Sequence, residues 1–161
     1  LEAVVHQAKG CQAGRLAVDL SRVVKLLRAL NATSPRFHDR VEVSAYPLLF
    51  AVHEEPARVT ALAERVHTDV SVVSRQVRHL ETLGLVAKAP DPDDGRASLV
   101  ALTPEGDDLV TRVVDGRGRW LAGILDCWTP DQAESFHLHL DHFADSLRAE
   151  LDARTTTQET Q

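Results

Sequence analysis

Between residues 16 and 30, apolar side chains recur at Leu16, Leu20, Val23, Val24, Leu27 and Leu30, with Asp19, Arg22, Lys25 and Arg28 between them. That spacing predicts an amphipathic helix; Gly10 and Gly14 weaken the stretch before it, although a start before Cys11 stays open. Residues 31–35 interrupt the pattern. A second helix is expected with Ser44 as its cap, Pro47 in the first turn where a missing N–H matters little, and Leu48, Leu49 and Val52 as its apolar positions, ending near Pro56. Thr60 and Asp69 each precede a further apolar-periodic run, so each is read as the cap of a short helix. In the second of these, Val73, Val77 and Leu80 recur at i, i+4 and i+7 and face the core. Ser71, Arg75 and Arg78 then project from the opposite side, with Ser74 at its margin. His67 stands in the tight turn between the two helices, where a positive φ is expected, and histidine tolerates that conformation better than most residues.

After Gly84, residues 85–89 and 98–102 are short, partly β-branched, and bracket Asp91-Pro92-Asp93-Asp94-Gly95-Arg96, which signals a hairpin. Thr103-Pro104-Glu105 opens a helix with a cap, a proline and an acid. It is expected to reach about Cys127, although Gly106, Gly116, Gly118 and Gly123 each cost up to about 1 kcal/mol relative to alanine, so it needs tertiary packing. Thr129-Pro130-Asp131-Gln132 has the capping-box pattern and starts a last helix with Phe136, Leu140, Phe143, Leu147 and Leu151 on its apolar side. Residues 155–161 contain no apolar side chain and are expected to be disordered. The order helix, turn, helix, hairpin over residues 60–103 is that of a winged helix-turn-helix in a mainly α chain with a small β-wing. It supplies a helix for the major groove of DNA and a basic tip for the neighbouring groove, so sequence-specific DNA binding is the expected activity.

Composition tests that expectation. A chain of 161 residues suits one domain, or one core with helical extensions. With 43% apolar and 26% charged residues and no apolar run of the roughly 18 to 20 residues a membrane span needs, no membrane partner is expected. No signal peptide is visible and cysteines number two, which points to the cytoplasm. The net charge of −6 opposes a nucleic-acid partner until it is mapped. Residues 1–55 carry seven Lys/Arg against six Asp/Glu, residues 56–103 six of each, and residues 104–161 five against twelve. The acid therefore lies in the C-terminal third, while residues 71–90 hold Arg75, Arg78 and Lys88 against Glu81. Binding through so modest a charge should be salt-sensitive.

The candidate DNA-reading residues are Ser71, Val72, Ser74, Arg75 and Arg78. An arginine can donate two hydrogen bonds to a guanine edge, and serines reach bases or phosphates. Their alternative reading is the solvated face of an amphipathic helix. Gln76 lies nearer the core side. Arg58 and Thr60, at the start of the preceding helix, are phosphate-contact candidates.

The run His79-Leu80-Glu81-Thr82-Leu83-Gly84-Leu85-Val86, the hairpin tip 91–96, and Leu102-Thr103-Pro104-Glu105-Gly106 after it, in this order and spacing, resemble the multiple-antibiotic-resistance regulator (MarR) family of bacterial transcription factors. The resemblance implies a mostly helical homodimer whose N- and C-terminal helices interlock. In that division, residues 1–40 and 104–154 form the dimerisation region, residues 41–103 the DNA-binding domain, and 155–161 a tail. It also implies a pseudo-palindromic double-stranded operator and, most often, repression. Asp94 and Arg96 match the family's Asp-x-Arg wing pattern, in which the arginine enters the minor groove, where the potential attracts a guanidinium, and the acid helps fix the wing. An ordinary tight turn with exposed charges is the alternative.

The resemblance further implies release from DNA by a small aromatic or phenolic acid bound between the dimer helices and the winged domain. Phe37, Tyr46, Phe50 and Trp120 are candidates for lining that site, and each is equally a plain core residue. Some relatives instead sense peroxides through a cysteine of the first helix. Cys11 has Lys9 and Arg15 nearby to lower a thiol pKa, but no tyrosine close in sequence. Cys127, beside Trp128, is read as a small packed residue. Metal-responsive relatives also exist. His137, His139, Asp141 and His142 crowd one helix, with His137 and Asp141 at i, i+4, but the cluster does not align with ligands drawn from several helices. No resident metal or cofactor is expected. Neither a Gly-rich phosphate loop, a nucleophile elbow nor a zinc-hydrolase motif is present, so the chain is not expected to be an enzyme.

Overall fold

The computed structural model describes the backbone of residues 2–33 and 36–158 and the side chains of residues 12–30 and 36–154. The chain divides into two compact units, residues 1–46 and 47–161, so the winged motif and the C-terminal helices fall in the same unit.

The first unit is dominated by α1, Glu2–Thr33, followed by a 3₁₀ turn at Val43–Ala45. The helix takes the earlier start left open by the sequence, before Cys11, and runs through Gly10 and Gly14, because once nucleated a helix gains a hydrogen bond for each residue added. Its stripe of Leu16, Leu20, Val23, Val24, Leu27 and Leu30 is exposed. Val41, Ala45 and Tyr46 are buried. Ser44, expected just before the next helix as its cap, is already part of the 3₁₀ turn, where its hydroxyl donates to Glu42 Oε2 at 3.3 Å.

The turn leads straight into α2, Tyr46–Glu54, and then α3 (Val59–Arg65) and α4 (Val70–Thr82) form the helix-turn-helix. Thr60 is the second residue of α3 rather than its cap. Ala57 pairs with Val100 in an isolated antiparallel bridge, which holds the chain extended up to Arg58 and makes Arg58 the residue before the helix. Asp69 occupies the cap position of α4 as expected, but its side chain makes no capping bond.

Both helices of the motif end on a left-handed residue. His67 has φ +48°, with its N–H donating to the Glu64 carbonyl (3.1 Å) and the Thr68 N–H to the Ala63 carbonyl (3.0 Å). Gly84 has φ +71°, with its N–H donating to Glu81 (3.0 Å) and the Leu85 N–H reaching back to Leu80 (3.0 Å). This is the Schellman arrangement, and its apolar partners Leu80 and Leu85 are both buried.

Strands β1 (Val86–Pro90) and β2 (Ser98–Leu102) pair antiparallel, from Val86 opposite Leu102 to Pro90 opposite Ser98. The core of the second unit gathers Leu48, Leu49 and Val52 of α2, Leu62 of α3, Val73, Val77 and Leu80 of α4, Val100 of β2, and Leu109, Val110 and Val113 of α5 (Pro104–Ile124). Thr103 caps α5 by accepting from the Gly106 N–H at 3.1 Å, and its own hydroxyl donates to the Gly84 carbonyl at 2.6 Å.

Gly106 explains itself here. A Cβ at this position would overlap the backbone carbonyl of Leu85, so glycine is needed for the start of α5 to approach the end of α4. An alanine in an ordinary helix interior stabilises relative to glycine. At this position the sign reverses, and Gly106→Ala is expected to lose about 1 to 3 kcal/mol through overpacking. Urea unfolding of the two proteins checks it, and an alanine variant as stable as the parent would show that the approach is loose.

The outer half of α5 exposes Val114, Trp120, Leu121 and Ile124. A capping box then opens α6, Pro130–Gln158: the Thr129 N–H donates to Gln132 Oε1 (2.9 Å) and the Gln132 N–H to Thr129 Oγ1 (3.2 Å). Phe136, Leu140, Phe143, Leu147 and Leu151 line one side of α6 and are exposed. The helix continues through residues 155–158, where disorder was expected, carried by propagation from a turn in which Arg154 pairs with Glu150 at 2.8 Å. Residues 159–161 of that tail lie outside the described residues. Cys127, expected to be packed, is exposed at the α5–α6 junction, because α5 has already ended at Ile124.

Candidate nucleic-acid interface

The reading face of α4 follows from its core face. With Val73, Val77 and Leu80 buried, Ser71, Arg75 and Arg78 are exposed, while Val72, Ser74 and Gln76 are half-buried at the margins. α3 packs against α4 and holds it by Leu62 and Ala63, both buried. Among the described residues no ion pair engages Arg75 or Arg78. Lys88, counted with them in the sequence, pairs with Glu81 at 3.0 Å and so adds little to the local field. Two uncommitted guanidinium groups on one helical face are what a groove of base edges and phosphates requires.

The wing is fixed by carboxylates. Asp91, at the root of the loop, is 7% exposed, and Oδ1 accepts from the Asp93 N–H at 2.9 Å. Its backbone N–H donates to the Ala97 carbonyl (3.1 Å), and the Ala97 N–H donates to the Asp94 carbonyl (2.8 Å), closing the loop. Asp94 Oδ1 accepts from the Arg96 N–H at 3.1 Å, which fits the wing-fixing part expected of that acid. The Arg96 side chain is exposed at the tip.

Arg58 reaches into this loop from the start of α3. Its Nε donates to Asp91 Oδ2 at 2.6 Å, and its Nη2 lies 3.4 Å from Asp94 Oδ2. The Asp93 N–H and then Arg58 hold the Asp91 carboxyl below the usual carboxylate range, and the bond to Asp91 raises the Arg58 pKa in turn. Asp91 is the residue that sequence reasoning missed. Its signal was available: an aspartate two residues before a free backbone N–H in a Pro-containing turn is an Asx-turn acceptor. Thr60, the other candidate at this helix start, is exposed.

The candidate effector residues separate. In the first unit, Phe37 is partly exposed and Tyr46 is buried. In the second, Phe50 is half-buried with the Arg117 guanidinium 5.1 Å from its ring centre, and Trp120 is exposed. The side chain of Cys11 lies outside the described residues. Of the histidine cluster, His139 Nδ1 lies against the backbone oxygen of Ser135, its own preceding turn, at 2.5 Å. Among the described residues no group of three or more His, Cys, Asp or Glu is placed to hold a metal, and no helix is long and apolar enough to cross a membrane.

A helix-turn-helix with an exposed arginine face, bridged through Ala57 and Val100 to a two-stranded wing, defines a winged-helix DNA-binding domain. The model of the MarR family matches residues 41–97, the stretch that contains α2, the helix-turn-helix, β1 and the wing loop up to the start of β2. The chain belongs to the MarR family of transcriptional regulators. It is 37% identical over 97 residues to the HTH-type transcriptional regulator YxaD of Bacillus subtilis (strain 168), covering 60% of this chain and 68% of that one. It is 35% identical over 116 residues to an HTH-type transcriptional regulator of Mycobacterium tuberculosis (strain CDC 1551 / Oshkosh), covering 69% and 78%. Among solved structures it is similar to the PcaV transcriptional regulator from Streptomyces coelicolor in complex with its natural ligand. That match has 29% identity and a TM-score of 0.57 over 83% of this chain and 92% of that one. These relatives are transcription regulators and not enzymes.

Proposed function

We propose that the chain acts in the cytoplasm as a homodimeric repressor on a pseudo-palindromic operator, and that a small aromatic or phenolic acid releases it. The observation that carries the DNA part is the pair of uncommitted arginines, Arg75 and Arg78, on the exposed face of α4, with Arg96 at the wing tip. Ser71 and Ser74 reach bases or phosphates beside the arginines, Val72 contacts the groove wall, and Arg96 enters the minor groove. Asp94 serves by holding the wing, and Thr60 borders the phosphate backbone. Two α4 helices from two copies, one helical turn of DNA apart, match an operator with two half-sites.

The apolar stripes of α1, α5 and α6 support the dimer. Each is a regular row of large side chains exposed to water on a single copy, and soluble proteins cover such surfaces with a partner. The ligand-bound PcaV relative supports an effector, and Phe37, Tyr46, Phe50 and Trp120 are the aromatic groups from which a site could draw. An effector would act by binding better to one spacing of the two α4 helices than to the other, since only differential affinity moves such an equilibrium.

Fluorescence anisotropy with DNA from upstream of the chain's own gene tests the reading. The protein should prefer it to random duplex, and equal affinity for both would defeat operator recognition. Arg75→Ala is expected to lower operator affinity by about 1 to 3 kcal/mol while leaving the dimer intact. An unchanged affinity would remove Arg75 from the interface.

A further inference from the structure

We propose that Arg58 is a positioning residue for the wing, acting on DNA through Arg96 rather than by touching a phosphate; the proposal rests on the reading that Arg96 enters the minor groove. Arg58 stands where three constraints meet. The bridge between Ala57 and Val100 ties its backbone to β2, α3 begins at the next residue, and its guanidinium spans two acids of the wing loop. One of those acids, Asp91, is buried at the root of the loop. The other, Asp94, holds the Arg96 N–H. A continuous chain of bonds therefore runs from the start of the helix-turn-helix, through Arg58 and Asp94, to the residue at the wing tip.

Charge excludes the simpler role. Two carboxylates lie within 3.4 Å of this one guanidinium, so the site as a whole is anionic and repels a phosphate. Arg75, Arg78 and Arg96 have no such company among the described residues. Removing the Arg58 cation would leave the buried Asp91 carboxylate with backbone N–H partners of its own loop, at Asp93 and Asp94, and no positive charge, next to the Asp94 carboxylate. Loop 91–97 would then open from the side that faces α3, and Arg96 would lose its aim. The planar fork of arginine matters because Nε and Nη2 engage different acids, a geometry that the single ammonium of lysine cannot copy.

A double-mutant cycle on operator affinity, repeated over a range of NaCl concentrations, tests this. Arg58→Gln is expected to weaken binding about tenfold in the parent protein, and by no more than about twofold where Arg96 is already alanine. The slope of log affinity against log salt should be the same for Arg96→Ala and for the double variant. Arg58→Lys should behave like Arg58→Gln. Asp91→Asn, which keeps the size and the bond from Asp93 but removes the charge, should show the same dependence on Arg96. Equal losses in the two backgrounds overturn the proposal, whether they arise from a direct phosphate contact, which would also lower the slope by about one, or from a domain that no longer folds. Rescue by lysine overturns it as well. An Arg96→Ala protein that binds operator as tightly as the parent would show, by that single substitution, that the wing reading itself has failed, and the proposal with it.

Discussion

Replacing both Phe143 and Leu147 of α6 by aspartate is expected to give a folded monomer whose operator affinity is lower by about 10²- to 10⁴-fold. The two side chains are 40% and 49% exposed on a single copy, and they belong to the row Phe136, Leu140, Phe143, Leu147, Leu151, whose spacing of three and four keeps it on one side of the helix. Both side chains are partly exposed on a single copy, so little packing within the copy is lost by the change and helix content should persist. In the proposed dimer the same positions are expected to be buried, and an unpaired carboxylate is far more costly there than at the surface. The effect on DNA follows from linkage of the half-sites. A dimer that has bound one half-site presents its second α4 at high effective concentration to the other, and a monomer forfeits that advantage. Sedimentation velocity gives the mass and anisotropy the affinity. A doubly substituted protein that remains dimeric would place the interface elsewhere.

Leu80→Ala is expected to destabilise the protein by about 2 to 5 kcal/mol, a large part of the about 5 to 15 kcal/mol that holds a domain folded. Leu80 is 0% exposed and lies in the last turn of α4, where its carbonyl accepts from the Leu85 N–H in the motif that ends the helix. Truncation removes three heavy atoms, Cγ and the two Cδ methyls, and is expected to leave a cavity between α4 and its neighbours. The midpoint of urea unfolding should fall with the slope unchanged. A loss below about 1 kcal/mol would mean that the site collapses without strain. The same truncation loosens the C-terminal end of the helix that carries Arg75 and Arg78, so DNA affinity should fall further than the loss of folded protein alone explains.

The parts of the molecule that were legible in the sequence are those set by local periodicity and local bonding. Val73, Val77 and Leu80 declared the buried side of α4 and hence its exposed one. The capping residues Thr103 and Thr129 declared the starts of α5 and α6, and His67 the positive φ between the two helices of the motif. Several of the misreadings share a physical cause, which is long-range pairing. Thr60 looked like a cap because nothing in its neighbourhood reveals that Ala57 is bridged to Val100, more than forty positions away in sequence. Gly106 looked like a defect in a helix because its close neighbour is the carbonyl of Leu85 across the hairpin. The acids that Arg58 meets, Asp91 and Asp94, were equally hidden, because they arrive with the wing. Within the candidate interface, the exposed placement of Ser71, Arg75, Arg78 and Arg96 could be read from pattern alone, whereas the reach of Arg58 across to Asp91 and Asp94 could not.

The junction of Gly84 and Leu85 with Thr103 and Gly106 has one more consequence. The Thr103 hydroxyl is bonded to the Gly84 carbonyl, the Thr103 N–H to the Leu85 carbonyl at 3.1 Å, and Gly106 leaves no gap for slippage. The C-terminus of α4 and the N-terminus of α5 are thus welded into a single joint. Swinging the far end of α5, as a crank handle is swung, is expected to turn α4 with it.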